Sequence, residues 1–280
     1  MAKGEMVNKP AQAYWDCHVH VFGAPERYPR VSERDYVAPE RLFPALQDAA
    51  APHGVARFVL VQPSVYGKDH RCMLDALAAS GHRHRCIAVL EPQATEAEIA
   101  ALHALGVRGA RFNCVSSAGN GLQGFAALAP KLRDAGWLAH VLIAREALNE
   151  LAPLQRKSSV GCVLDHTAGL GPDDDASHSA WSTLRALLDD GNCWVKISGL
   201  YRSSRVPGTF ADCDGLIDRL ARLAPDRLLW GSDWPHTWFF SPGRGTAPQY
   251  GDTLAPLVRT LGQSDLLQRI LVDHPERLYR

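Results

Sequence analysis

Tyr14-Trp15-Asp16-Cys17-His18-Val19-His20-Val21 is the stretch whose reading decides the fold. Aromatic and β-branched residues dominate it, which favours an extended strand. Residues two apart on a strand share a face, so His18 and His20 project to the same side. No Gly-x-Gly-x-x-Gly follows, which removes the signature of a doubly wound dinucleotide-binding sheet, the competing architecture.

Working outward, seven further apolar runs read as strands: Arg57–Gln62, Arg85–Leu90, Val107–Phe112, Trp137–Ile143, Val160–Asp165, Cys193–Ser198 and Arg227–Gly231. Each ends near Gly, Pro, Ser, Asn or Asp, the residues of turns. Amphipathic stretches separate them. A helix is predicted to open at Pro39, suited to a first turn. Thr95-Glu96-Ala97-Glu98 has the spacing of a capping box. Leu128 and Leu132, and then Leu216, Leu220 and Leu223, recur at helical intervals. Near-continuous apolar strands alternating with helices imply a parallel sheet covered on both faces. Eight such units predict an α/β fold, a single-domain (β/α)8 TIM barrel over 14–280, with 1–13 as an N-terminal tail. The longest irregular stretches, Phe22–Ala38, Leu200–Thr209 and Trp234–Gly251, each follow a strand. They belong to the end of a barrel where active sites lie.

Composition narrows the function. The 280 residues hold 30 Lys and Arg against 30 Asp and Glu, with 12 His outside that balance. A net charge of zero gives no electrostatic term for nucleic acid or a membrane surface, so neither is an expected partner. No run of apolar residues is long enough for a transmembrane helix. The seven cysteines are odd in number and contain no Cys-x-x-Cys pair, the pattern of reduced thiols in a cytoplasmic protein. Nothing in the sequence gives an oligomeric state.

Three strand ends carry the chemistry: His18 and His20 on the first, His166 on the sixth, and Asp233 in Trp230-Gly231-Ser232-Asp233-Trp234-Pro235-His236 on the eighth. Each alone has a plain structural reading, such as a core histidine or a turn-forming aspartate. Together they resemble the ligand pattern of the amidohydrolase superfamily. The resemblance runs over nearly the whole chain and points to the branch of 2-pyrone-4,6-dicarboxylate hydrolases and related lactonases. Supporting segments are Gln62-Pro63-Ser64-Val65-Tyr66-Gly67, Gly109-Ala110-Arg111-Phe112-Asn113, Lys196-Ile197-Ser198-Gly199 with Arg202, and Asp273-His274-Pro275-Glu276-Arg277-Leu278-Tyr279.

The resemblance implies a hydrolase that opens a carboxylated lactone by aspartate-activated water. Asp233 is the expected general base, and His18, His20 and His166 stabilise the oxyanion. Arg111, Arg202 and Lys196, with Ser64 and Tyr36, are the expected substrate-binding groups, because arginine holds carboxylates bidentately. The expected partner is thus a small anionic substrate. Binuclear relatives carry a carboxylated lysine on strand four, where this chain has Arg111. Mononuclear relatives add a strand-five histidine, and the candidate here, His140, is followed by Val141-Leu142-Ile143 and falls mid-strand. No cofactor is therefore expected. In one departure, Cys114-Val115-Ser116-Ser117-Ala118 lacks the basic residue that the branch places there. The alternatives are a zinc-dependent amidohydrolase or decarboxylase with His18, His20, His166 and Asp233 as ligands, a lactone isomerase, and a non-catalytic barrel binding protein. The aromatic loop Trp234–Gly251 is read as packing over the pocket more than lining it, and whether it is a lid stays open.

Overall fold

The protein is described by a computed structural model over residues 12–32, 36–116 and 119–280. The tail expected over 1–13 lies outside the described residues up to position 11. Eight parallel strands pair in chain order, β1 to β8: Tyr14–Val19, Val55–Val61, Arg85–Ala88, Val107–Asn113, Leu138–Leu142, Gly161–Leu164, Cys193–Ile197 and Leu228–Trp230. Helices α1 to α8 alternate with them: Phe43–Ala50, Arg71–Ala79, Glu96–Ala104, Gly121–Asp134, Leu148–Ser158, Ser179–Asp189, Asp214–Leu223 and Tyr250–Leu261. This is the (β/α)8 barrel that the strand–helix alternation predicts.

Local sequence explains most elements. The Thr95 box forms at the start of α3: Glu98 N donates to Thr95 Oγ1 at 3.2 Å, and Thr95 N donates to Glu98 Oε2 at 2.7 Å. Leu216, Ile217 and Leu220 of α7 turn inward onto the barrel. The helix expected at Pro39 instead begins at Phe43, with Pro44 in its first turn. Arg41 exchanges two backbone bonds with Phe22, and that antiparallel bridge holds residues 39–42 out of the helix. All seven cysteines are free, as expected.

The barrel interior is layered. Trp15, Cys17, Val61, Ile87, Val163, Trp194 and Leu229 fill its lower part, and Tyr279 plugs the bottom, its ring 6.2 Å from that of Trp15. Trp15 and Cys17 point inward, so strict alternation would send His18 outward. The pairing of β1 with β2 slips between Asp16 and Val19: three steps on β1 match two on β2. This bulge resets the phase, and a bulge re-aims side chains in this way. Val19 then joins the layer beneath the helices, and His18 and His20 face the barrel axis together.

Asp16 pins the bulge. Its Oδ1 accepts from His18 N at 3.1 Å and from Ser232 N at 2.9 Å, and its Oδ2 accepts from the Tyr250 hydroxyl at 2.7 Å. The barrel closes at the same place, where Asp233 N donates to the His18 carbonyl at 2.9 Å and His20 N to the Trp234 carbonyl at 2.8 Å. Gly231 is required there, because a Cβ on it would lie 2.6 Å from His18 Cβ. Asp16→Ala leaves three buried donors without an acceptor, and each such group costs about 1–3 kcal/mol. The expected loss of stability by chemical denaturation is about 3 kcal/mol or more; a loss under about 1 kcal/mol would show that Asp16 does not hold the closure.

Candidate active site

Asp233 sits at the centre of the C-terminal face, fully buried, with φ at 59°. Its two oxygens differ. Oδ2 accepts from the Tyr201 hydroxyl at 2.5 Å and from Arg202 Nη2 at 2.9 Å and Nε at 3.3 Å. Oδ1 has no hydrogen-bond partner. It lies 3.4 Å from His20 Nε2 and 3.6 Å from His18 Nε2. His166, from the end of β6, places its Nε2 3.7 Å from Oδ2. Sequence-predicted His18, His20, His166 and Asp233 therefore meet within one small volume.

Each histidine is oriented from behind. His20 Nδ1 donates to the Val61 carbonyl at 2.7 Å. His166 Nδ1 meets Ser198 Oγ at 2.9 Å, and its φ of 50° is an uncommon backbone state of the kind found at functional sites. Gly199 makes room for that ring, since a Cβ there would come within 2.7 Å of His166 Nδ1. His18 Nδ1 lies 3.0 Å from Lys196 Nζ and 3.3 Å from Asp165 Oδ1.

Lys196 departs from expectation. The sequence reading places it among the substrate-binding residues at the mouth. In the structure it is fully buried below His18, ion-paired with Asp165 at 2.8 Å and 3.2 Å from His140 Nδ1. Inward-facing positions on β7 alternate through Trp194, Lys196 and Ser198, and Ser198 occupies the upper rung. His140 is buried mid-strand, as its apolar neighbours predict.

Above this cluster opens a cavity of about 580 Å³ lined by His20, Tyr36, Ser64, Arg111 and Arg202, with Asn113, Ser116, Trp238 and Arg244 among the other walls. Four of the five predicted substrate-binding residues thus line it, with Lys196 the exception. Asp233, His18 and His166 lie beneath His20 and Arg202 and do not line it. Arg111, at the end of β4, is anchored by Nη1 donating to the Gln62 carbonyl at 3.0 Å. Arg202 is turned toward Asp233, so its guanidinium orients that carboxylate. Burial pushes the Tyr36 hydroxyl up to about 12, which keeps it a neutral donor beside Ser64. Arg244, stacked 3.7 Å over the Trp238 ring, brings a third guanidinium to the mouth. It lines the same cavity as Val115 and Ser116 of the stretch that lacks a basic residue; Ser117 and Ala118 of that stretch lie outside the described residues. Trp238 lines the cavity, against the expectation for its loop, whereas Phe239 packs on Tyr201 and Phe240 on Phe22 and Tyr36.

Residues the sequence reading missed are Asp16, Asp165, Tyr201, Ser198 and Arg244. Asp165 and Tyr201 each adjoin a residue it singled out. Their positions in the chain were therefore readable, but which way their side chains pointed was not.

Burial and charge set the protonation states. Burial raises the carboxyls of Asp233 and Asp165, but neighbouring cations outweigh it and hold both well below the usual range. Burial, reinforced by the Lys196 charge, holds His18 well below its ordinary value. Burial above all pushes His166 down to about 3, and His84 and His236 to about 4. His18 Nε2, His166 Nε2 and Asp233 Oδ1 lack protein partners, and this His/His/Asp set lies within 4.8 Å, close enough for one metal ion. The surrounding charge opposes a dication: Arg202 is already on Asp233, and Lys196 is against His18.

A buried neutral histidine takes up a proton on unfolding once the pH falls below about 6.5. Its stabilising contribution is whole above that pH and is lost as the pH falls, at about 1.4 kcal/mol per pH unit per histidine. Asp16, pushed up to about 6 by burial, acts in the opposite sense: its contribution is present below about pH 4 and is lost as pH rises through 6. His84, His166 and His236 outweigh this one group. Melting temperature is therefore expected to fall between about pH 7 and pH 5; a flat or rising profile would contradict these buried neutral states.

Residues 15–280 match the protein family described as amidohydrolase. The chain is 30% identical over 268 residues to the 4-sulfomuconolactone hydrolase of Hydrogenophaga intermedia, covering 95% of this chain and 88% of that protein. It is 32% identical over 292 residues to the 2-pyrone-4,6-dicarboxylate hydrolase of Comamonas testosteroni, covering 94% and 89%. A Pseudomonas putida structure described as a candidate 2-pyrone-4,6-dicarboxylic acid hydrolase superposes with a TM-score of 0.81 at 27% identity, covering 95% of this chain and 97% of that one. Among the described residues, no helix is long and apolar enough to cross a membrane.

Proposed function

We propose that this chain, which belongs to the amidohydrolase family, hydrolyses the ring ester of a small anionic lactone without a metal ion, using Asp233 as general base. The observation that carries the reading is the division of labour on Asp233. Tyr201 and Arg202 occupy Oδ2, and Oδ1 is left without a partner beside His18 and His20. A carboxylate held on one oxygen and unpaired on the other is oriented to take a proton at a fixed point. The two lactone hydrolases to which the chain is similar support the substrate class.

In the proposed reaction, water loses a proton to Asp233 Oδ1 as its oxygen bonds to the ester carbonyl carbon. The carbonyl oxygen becomes an oxyanion, stabilised by hydrogen-bond donation from the His18 imidazole beneath the cavity. The ring C–O bond then breaks, and Asp233 returns the proton to the leaving oxygen. Arg111 holds a carboxylate of the substrate, with Tyr36 and Ser64 as neutral hydrogen-bond partners, and Arg244, which lines the same cavity, offers a second anion contact. Arg202 acts through Asp233, and its remaining guanidinium face is open to the cavity.

Asp233→Asn is expected to bind lactone but lose about 100-fold or more in kcat. Near-normal turnover on a panel of carboxylated and sulfonated lactones would sink the assignment. Arg111→Met is expected to raise KM about 10-fold or more, with a smaller effect on kcat, because it removes a charge-assisted contact to the bound anion. An unchanged KM for anionic lactones would place the anion elsewhere.

A further inference from the structure

Buried lysines are rare unless paired, and the Lys196 ammonium is paired on every side. An ammonium has three hydrogens and no lone pair. Three acceptors surround Nζ: Asp165 Oδ1 at 2.8 Å, His18 Nδ1 at 3.0 Å and His140 Nδ1 at 3.2 Å. A hydrogen on His18 Nδ1 would point at an ammonium hydrogen across 3.0 Å, so Nδ1 carries the lone pair. A neutral imidazole has one N–H, which then sits on Nε2, the atom facing Asp233. The same reasoning puts the His140 hydrogen on Nε2, which faces the Tyr279 hydroxyl at 3.4 Å. His20 is the opposite case. Its Nδ1 meets a carbonyl, which only accepts, so its lone pair is on Nε2.

We propose that Lys196 is a positioning residue that fixes His18 as an Nε2–H donor, so that His18 serves the reacting carbonyl as a hydrogen-bond donor and is unavailable as a metal ligand. This inference rests on the lactonase reading for its catalytic consequence, but not for the tautomer itself. The two histidines of the first strand then divide the work, one donating into the site and the other accepting. A protonated Nε2 has no lone pair for a cation, so the His/His/Asp set loses one of its three donors, and the residues present do not fit a metal. Asp165 is the alternative partner for His18, with Oδ1 3.3 Å from Nδ1. With the ammonium removed, Nδ1–H donates to that carboxylate, and Nε2 gains the lone pair. That is the carboxylate–histidine arrangement that orients metal ligands.

The test uses the full chain labelled with 15N-histidine, with His18 assigned by difference from His18→Gln. The wild-type protein is expected to show the His18 proton on Nε2. Lys196→Met is expected to move it to Nδ1, to bind zinc about 10-fold or more tightly than wild type, and to lose about 10-fold in kcat with KM changed less than about 3-fold. A purely structural lysine would shift neither the tautomer nor the zinc affinity. A wild-type His18 protonated on Nδ1 overturns the proposal. So does a folded Lys196→Met protein with the wild-type tautomer and zinc affinity. If Lys196→Met does not fold, the wild-type spectrum alone decides. The spectrum and the zinc titration use no substrate, so they separate failure of this inference from failure of the lactonase reading.

Discussion

The bulge in β1, pinned by Asp16, is the constraint on which the site depends. One residue more than the partner strand can match is inserted between Asp16 and Val19. The backbone N–H of His18, turned out of the ladder, is taken up by the Asp16 carboxylate, which also gathers the N–H of Ser232. One buried side chain thus sets the facing of both histidines and fixes the course of the chain just after β8. That stretch carries Asp233. Without the slip, His18 and His20 would both point into the helix layer, and Asp233 would keep only His166 beside it.

Charge is arranged in two tiers around this point. The lower tier, Lys196 with Asp165, is fully buried and self-neutralising. The upper tier pairs Asp233 with Arg202 and leaves Arg111 and Arg244 around the cavity. A chain with no net charge therefore presents a cationic mouth. Arginine suits this position, since it stays charged and matches a carboxylate's geometry. Buried ion pairs are weak sources of stability but hold their members in one arrangement. In the lower tier, that arrangement decides which nitrogen of His18 faces the chemistry.

Much of this was legible in the sequence. The barrel followed from eight apolar runs and the helical spacing between them, and His18, His20, His166 and Asp233 stand out at strand ends. What the sequence concealed was phase and depth. Alternation alone treats His18 and His20 as equivalent and does not show the bulge, because a bulge is a mismatch with a distant strand. Lys196 reads as a mouth residue because only one rung separates it from Ser198 on the same face of the strand. Arg244 carries no signal in the sequence, because it lies in an irregular loop, where no period assigns a facing. Pro39 favours a helix start locally, and the long-range bridge between Phe22 and Arg41 overrides that preference.

The most direct measurement is the rate of anionic-lactone hydrolysis by chelator-treated protein, with metal content determined on the same sample. Undiminished turnover at well under one-tenth equivalent of metal is the expected result. Activity that disappears with the metal and returns on adding one equivalent of zinc would contradict a reaction carried by Asp233 and its histidines alone.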